Sequence, residues 1–366
     1  MIFNILRKKY AVQAEEDLNY LLKKRKYVWD ILSKKDLDKF DNAVERFGKL
    51  QEAKLNVAEG EAQLVALQKE YGNFFETPSE RSWRENVEVF FVALVIALAI
   101  RAYFIQPFKI PTHSMFPTLY GILPEKREGA KPNFLIQTRD FFLFGRTYHR
   151  AVVRHGGEIS SVREISFLKF FKGVEIVIGA DIYRLWTSGQ NLANAGYSFD
   201  IGEEIPIGRD LVNISIQNGD HIFVNKMAYH FGLPRRGRVF VFTTRNISHF
   251  QEKGSQYYIK RCVGAGGDTL RVDPPHLFAN GELLDHRPAF ERIYSRKNGY
   301  GGYTLGGYLS SPNETYQVPA RHFWAMGDNS ANSFDSRMWG SVPRENLVGS
   351  AWFVYWPFGK RWGRID

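Results

Sequence analysis

Ile110-Pro111-Thr112-His113-Ser114-Met115-Phe116-Pro117-Thr118-Leu119 separates two halves of the chain that differ in texture. Before it, apolar and charged residues mix at helical spacing, as in Leu18, Leu21, Leu22, Val28, Ile31 and Leu32, then Val57, Leu64, Val65 and Leu67, with no proline before Pro78. After it, short β-branched and aromatic runs alternate with Gly, Asn and Pro, which reads as strands and turns. The stretch itself belongs to neither pattern. Its two prolines hold it extended or turned, so Ser114 projects from a rigid loop rather than packing into a helix face.

Immediately upstream, Val87 to Ile105 is almost wholly apolar and close to the roughly 20 residues needed to cross hydrocarbon. Residues 87–106 are predicted as a transmembrane helix, with Glu88 and Arg101 near enough to its ends to reach the headgroups. Residues 1–80 are predicted as an antiparallel pair of helices, with the Lys23-Lys24-Arg25-Lys26 run on a solvated face. The first ten residues contain no long apolar core, so no cleavable export signal is expected. Basic residues flank the apolar segment on both sides, and charge alone leaves its orientation open.

Composition sets wider limits. With 366 residues and 44% hydrophobic content the chain can bury a large core, and its length suits about two domains. A net charge of +10 favours acidic partners. No basic cluster has a nucleic-acid signature, so anionic membrane lipid is the expected partner and nucleic acid is not. A single cysteine, Cys262, excludes an internal disulfide and any CxxC metal site. No metal or cofactor is expected.

Strands are predicted at Phe134-Leu135-Ile136, Val174–Ile178, His221–Val224, Val239–Phe242, Tyr257–Ile259 and Thr269–Val272. Asn280-Gly281 is predicted to turn a hairpin. The stretch of about 120–218 is too long for a connection and reads as an inserted subdomain. Gly299 to Tyr308, rich in Gly and Tyr, is expected to be a mobile loop.

A serine attacks an amide only if a base takes its proton, and a lysine can be that base when burial keeps its amine neutral. Lys260 lies in an apolar strand beside Tyr258, Ile259 and Val263, whereas Arg261 should face the other way. Lys226 also follows an apolar run and competes for the role. His113 is the neighbour of Ser114, and on an extended segment the two would point apart.

Four stretches carry the chemistry: the serine loop, Gly219-Asp220-His221-Ile222-Phe223-Val224-Asn225-Lys226, Tyr258-Ile259-Lys260-Arg261-Cys262-Val263-Gly264, and Gly327-Asp328-Asn329-Ser330-Ala331-Asn332-Ser333-Phe334-Asp335-Ser336-Arg337-Met338-Trp339-Gly340. In this order behind an apolar anchor they resemble the type I signal peptidases, membrane-bound serine proteases that remove signal peptides. The likeness covers the anchor, the serine loop and most of Gly219 to Trp352. It implies a mainly β fold: an antiparallel β catalytic domain over 107–366, one transmembrane helix, and a cytoplasmic helical region over 1–80. The catalytic domain would lie on the outer face of a bacterial-type plasma membrane.

The resemblance also implies roles. Ser114 would be the nucleophile and Lys260 its general base, while Lys226 would shape the core. The Ser114 N–H and the Thr112 hydroxyl would stabilise the oxyanion, Ser333 would hydrogen-bond the lysine, and Asp335 and Arg337 would brace the site. Ile110, Pro111, Met115, Leu119, Tyr258 and Ile259 would line pockets for the small residues of an A-x-A-like cleavage site, the precursor lying as an added strand beside Tyr258. Partners would be the signal peptides of exported precursors, membrane lipids and the translocation machinery. The aromatic run Trp352 to Phe358 would settle at the membrane interface or pack in the core.

The chain departs from the family pattern at Thr112, where serine is commoner, at Ser330 and Arg238, where arginine and aspartate are usual, and at Ala265-Gly266-Gly267. Two other classes fit part of the pattern. A membrane-anchored β protein could bind exported chains without cutting them, and a serine/lysine regulator would cleave itself.

Overall fold

The computed structural model describes residues 9–28, 30, 32–75, 78–167 and 171–366, so the reading of the first residues lies largely outside the described part. The chain divides into two compact units, Met1–Ile96 and Ala97–Asp366. In the first, helices Lys9–Val28, Lys34–Glu52 and Val57–Glu70 replace the expected pair. The reason is local capping. Ser33 accepts a hydrogen bond from Asp36 N, and Asn56 accepts one from Glu59 N, so each starts a new helix where the apolar spacing alone suggested continuity. Tyr10, Leu21, Phe40, Phe47, Leu50 and Leu67 form the core of this unit.

Helix Pro78–Tyr103 follows. Its segment Glu85–Tyr103 is, among the described residues, the one helix long and apolar enough to cross a membrane. The predicted helix ran to residue 106, but the chain leaves helical geometry sooner because Ile105–Lys109 pairs as a strand with His221–Asn225.

The second unit is mainly antiparallel β. Its principal sheet has eight strands. Ile105–Lys109 lies at one edge, followed by His221–Asn225, Leu347–Trp356, Val239–Thr243, Tyr257–Ala265, His322–Met326 and Val342–Pro343, with Gly363–Arg364 paired to Leu347–Trp356. Strand alternation divides the core. Val239 and Val241 pack with Ile222 and Val224 on one face, whereas Phe240 and Phe242 pack with Cys262 and Trp339 on the other. Both faces are covered, so a lysine placed mid-sheet has no ready path to solvent.

Residues 123–217 build sheets of their own over a separate core that includes Ile159, Ile176, Val212 and Ile214. The Asn280-Gly281 hairpin forms as predicted, both residues having positive φ (57° and 85°) between His276–Ala279 and Glu282–Leu283.

Two expectations fail here. Phe134–Phe144 is a helix, not a strand, because Asn133 caps it by accepting from Ile136 N and Gly145 ends it in the left-handed region. The Gly299 to Tyr308 run, expected to be mobile, is anchored at its centre: Tyr303 is wholly buried among Leu270, Phe290 and Leu309, and Thr304 bonds to the side chains of Ser330 and Arg337.

Candidate active site

The serine loop is turned, not extended. Phe116 N donates to His113 O and Leu119 N to Met115 O, while Ile110 N donates to Asp220 O. These turns carry Ile110, Met115 and Leu119 into the core with Ile222, Val224 and Val239, and that anchorage holds Ser114 in place. Lys260 enters from the Tyr257–Ala265 strand, 146 residues away in sequence, and its Nζ donates to Ser114 Oγ at 2.5 Å. Ser114 and Lys260 are 7% and 5% exposed.

The surroundings disfavour an ammonium at this point. Phe240, fully buried, is the cross-strand partner of Lys260. Burial lowers the Lys260 pKa to about 8, against an opposing pull from Asp335 and Asp328 and a smaller push in the same direction from Arg337. The nearby formal charges are already paired. Arg261 and Asp328, both 0% exposed, bond through Nε at 2.8 Å and Nη2 at 2.6 Å, and Arg337 grips Asp335 through Nε and Nη2, each at 2.9 Å. A protonated Lys260 would be the uncompensated charge of the cluster.

Lys260 and Arg261, neighbours on one strand, are both buried, because each side of the sheet is covered. The Arg261–Asp328 pair was not picked out in the sequence, although Asp328 stands in a quoted motif. It matters to the serine loop directly, since Thr118 Oγ1 donates to Asp328 Oδ2 and also contacts Tyr300 Oη at 3.0 Å. The pair therefore ties the lysine strand to the serine loop. Asp335 and Arg337 form no surface bridge. Arg337 also donates to Thr304 O and Ser330 O, and Asp335 accepts from Gly327 N and caps the Ser336–Trp339 helix.

Gly327 to Asn329 clamps the serine loop from above the strand end. Asn329 N donates to Ser114 O, and Asn329 Nδ2 donates to His113 O. A Cβ at Gly327 would lie 2.2 Å from Ser333 Oγ and 2.4 Å from Ser114 O, so no side chain fits there. Gly327→Ala is expected to displace the Ser333 hydroxyl or the Ser114 carbonyl and to destabilise the second unit by about 1 to 3 kcal/mol, measured by denaturant titration. An unchanged midpoint would mean that the loop absorbs the methyl group.

The other named residues divide. Thr112 and Pro111 are exposed, and Tyr258 and Ile259 are half-buried at the rim. Ile110, Met115 and Leu119, named for the substrate pockets, are buried in the core by the turn just described. Ser333 does not reach Lys260: its hydroxyl is buried against Gly327 without a hydrogen-bond partner, and Lys260 directs its bond to Ser114. Lys226 is remote from this chemistry. Its Nζ donates to Ala102 O at 2.6 Å, satisfying a carbonyl at the end of the apolar helix. Burial holds the His113 imidazole below its usual pKa, and its Nε2 bonds to no described group. Ser330 sits buried where it bonds Thr304 N, and Arg238 is exposed.

A family model described as "Signal peptidase, peptidase S26" matches residues 83–124 and 203–356, more than half of the chain. The chain belongs to that family. The match omits 125–202, the greater part of the segment with its own sheets and core. Among curated relatives, Signal peptidase I of Bacillus caldolyticus is 32% identical over 144 residues, 39% of this chain and 74% of that one. Signal peptidase I of Leptolyngbya laminosa is 32% identical over 152 residues, 40% of this chain and 64% of its own length. That of Pseudomonas aeruginosa is 32% identical over 191 residues, covering 42% and 64%. The chain thus spans just under two thirds of the length of the last two relatives. A crystal structure of a signal peptidase I from Enterococcus faecalis aligns over 32% of this chain and 96% of that one at 22% identity, with a TM-score of 0.25.

Proposed function

We propose that the protein is a membrane-anchored serine endopeptidase that removes signal peptides from exported precursors after small residues, with Ser114 as nucleophile and Lys260 as general base. The observation that carries this reading is the buried 2.5 Å contact between Lys260 Nζ and Ser114 Oγ. Neutral Lys260 takes the hydroxyl proton as Oγ adds to the scissile carbonyl. The resulting ammonium then protonates the leaving amine, and water, deprotonated by the same amine, releases the acyl group from Ser114.

The oxyanion would be met by the Ser114 N–H, which donates to no backbone carbonyl among the described residues, and by the exposed Thr112 hydroxyl after rotation. A precursor strand fits beside Tyr257 to Lys260. There the strand pairs with Val239–Thr243 on one side, whereas pairing on the other side starts only at Arg261. Glu85–Tyr103 would be the anchor, the first unit cytoplasmic and the second on the outer face of a bacterial-type plasma membrane. Contact with the translocation machinery belongs to the same reading.

The test is cleavage of a synthetic precursor containing an A-x-A site by the purified full chain in detergent, with the product mapped by mass spectrometry. Cleavage after the second alanine supports the proposal. Binding without cleavage would point to the non-enzymatic reading, and cutting of the chain's own backbone alone to the self-cleaving one. The pH profile adds a second check. Because the base must be neutral and its pKa lies at about 8, kcat/KM should rise about tenfold per pH unit up to that point and then level off. A profile flat from pH 6 to 9 would remove Lys260 from the role.

A further inference from the structure

A cavity of about 290 Å³ opens on the second unit away from Ser114, lined among others by Tyr229, Leu233, Arg235, Arg238, Arg287 and Ser350. Three guanidinium groups share its wall, and among the described residues none of them makes an ion pair or a side-chain hydrogen bond. The Tyr229 hydroxyl is buried in the wall beside Ser350. Three arginines without an ion pair around one concavity call for an anion with several acceptor oxygens.

The position of the cavity narrows the choice. Lys226 N donates to Phe104 O and Lys226 Nζ to Ala102 O, so residue 226 caps the end of the apolar Glu85–Tyr103 segment. The cavity wall begins two residues later, at Ala228. Its loop then extends Phe231, 85% exposed, and Leu233, 47% exposed. Trp352, also exposed, shares with Arg238 an adjoining cavity of about 460 Å³. Apolar tips beside unpaired arginines, at the level where a spanning helix leaves the bilayer, match the two halves of a lipid: acyl chain and charged headgroup.

We propose that this cavity binds the phosphate of an anionic glycerophospholipid through Arg235, Arg238 and Arg287, with Phe231 and Leu233 dipping into the acyl layer. The inference rests on reading Glu85–Tyr103 as a membrane span. Bound lipid would fix the height and tilt of the second unit at the surface where precursors emerge.

The test uses the full chain in a non-ionic detergent, with retained molecules counted by native mass spectrometry after titration with phosphatidylglycerol, phosphatidylcholine or inorganic phosphate. Preferential retention of phosphatidylglycerol, lowered at least about tenfold in the variant Arg235→Gln/Arg238→Gln/Arg287→Gln, is the expected result. Phe231→Ser/Leu233→Ser should weaken lipid retention and leave phosphate binding unchanged. The single variant Arg235→Gln, with a several-fold loss expected, serves if the triple variant fails to fold. Equal retention of the two lipids, retention unaffected by the arginine changes, or full displacement of phosphatidylglycerol by inorganic phosphate would each overturn the proposal. Alkaline extraction of cell membranes tests the span separately: release of the wild-type chain would overturn the anchor, whatever the headgroup preference in detergent.

Discussion

Ser114→Ala and Lys260→Met are each expected to lower kcat/KM on an A-x-A precursor by roughly 10³-fold or more, and the double variant to lose no more than either single one. The non-additivity follows from the proposed mechanism, in which nucleophile and base act in one proton transfer and removing either abolishes it. Stability separates this from a folding defect. In the folded protein Lys260 holds its proton only below about pH 8, while the unfolded chain holds it up to the ordinary pKa of 10.5. The unfolded state therefore holds more protons between those values, so stability should rise with pH across that window and be lower beneath it.

Methionine at 260 removes the cost of burying the amine. Lys260→Met should be inert yet more resistant to denaturation at neutral pH, by on the order of 2 to 3 kcal/mol, with a flatter pH dependence. Denaturant titration in detergent at pH 7 and pH 10 checks it. Full activity in Lys260→Met would sink the base assignment.

Asp328→Leu is expected to destabilise the second unit by about 3 to 5 kcal/mol, because it leaves the Arg261 guanidinium charged, buried and without its carboxylate. Replacing both partners by apolar residues, Arg261→Met with Asp328→Leu, should cost much less than the sum of the single changes. The effect should reach the chemistry as well. Asp328 also accepts from Thr118, so its loss frees the serine loop from the lysine strand and should lower kcat more than it raises KM. Thermal denaturation of the four proteins of this cycle, with kinetics on those that fold, gives both readings. A near-zero coupling would mean that the pair is dispensable to the site.

The sequence carried some of this openly. Val239 to Phe242 alternates between two faces that both prove apolar, and Asn280-Gly281 turns the hairpin its residue types demand. Those signals are local, and local geometry satisfies them. Phe134 to Ile136 misled for the same reason: three apolar residues fit either period, and the deciding information was the Asn133 cap outside them. The count of helices in the first unit turned likewise on Ser33 and Asn56, polar residues that apolar spacing passes over.

By itself, then, the sequence determined the helical first part, the apolar length of Glu85–Tyr103, the β texture beyond it, and the serine and lysine worth bringing together. These follow from side-chain periodicity and residue chemistry, which need no distant partner. Only the tertiary structure decided that Lys260 Nζ lies 2.5 Å from Ser114 Oγ, that Arg261 and Arg337 are buried against Asp328 and Asp335, that the Ser333 hydroxyl makes no hydrogen bond to Lys260, and that Met115 and Leu119 close into the core. Burial and pairing arise when strands far apart in the chain become neighbours in one sheet, and it is their desolvation that turns an ordinary lysine into a candidate base.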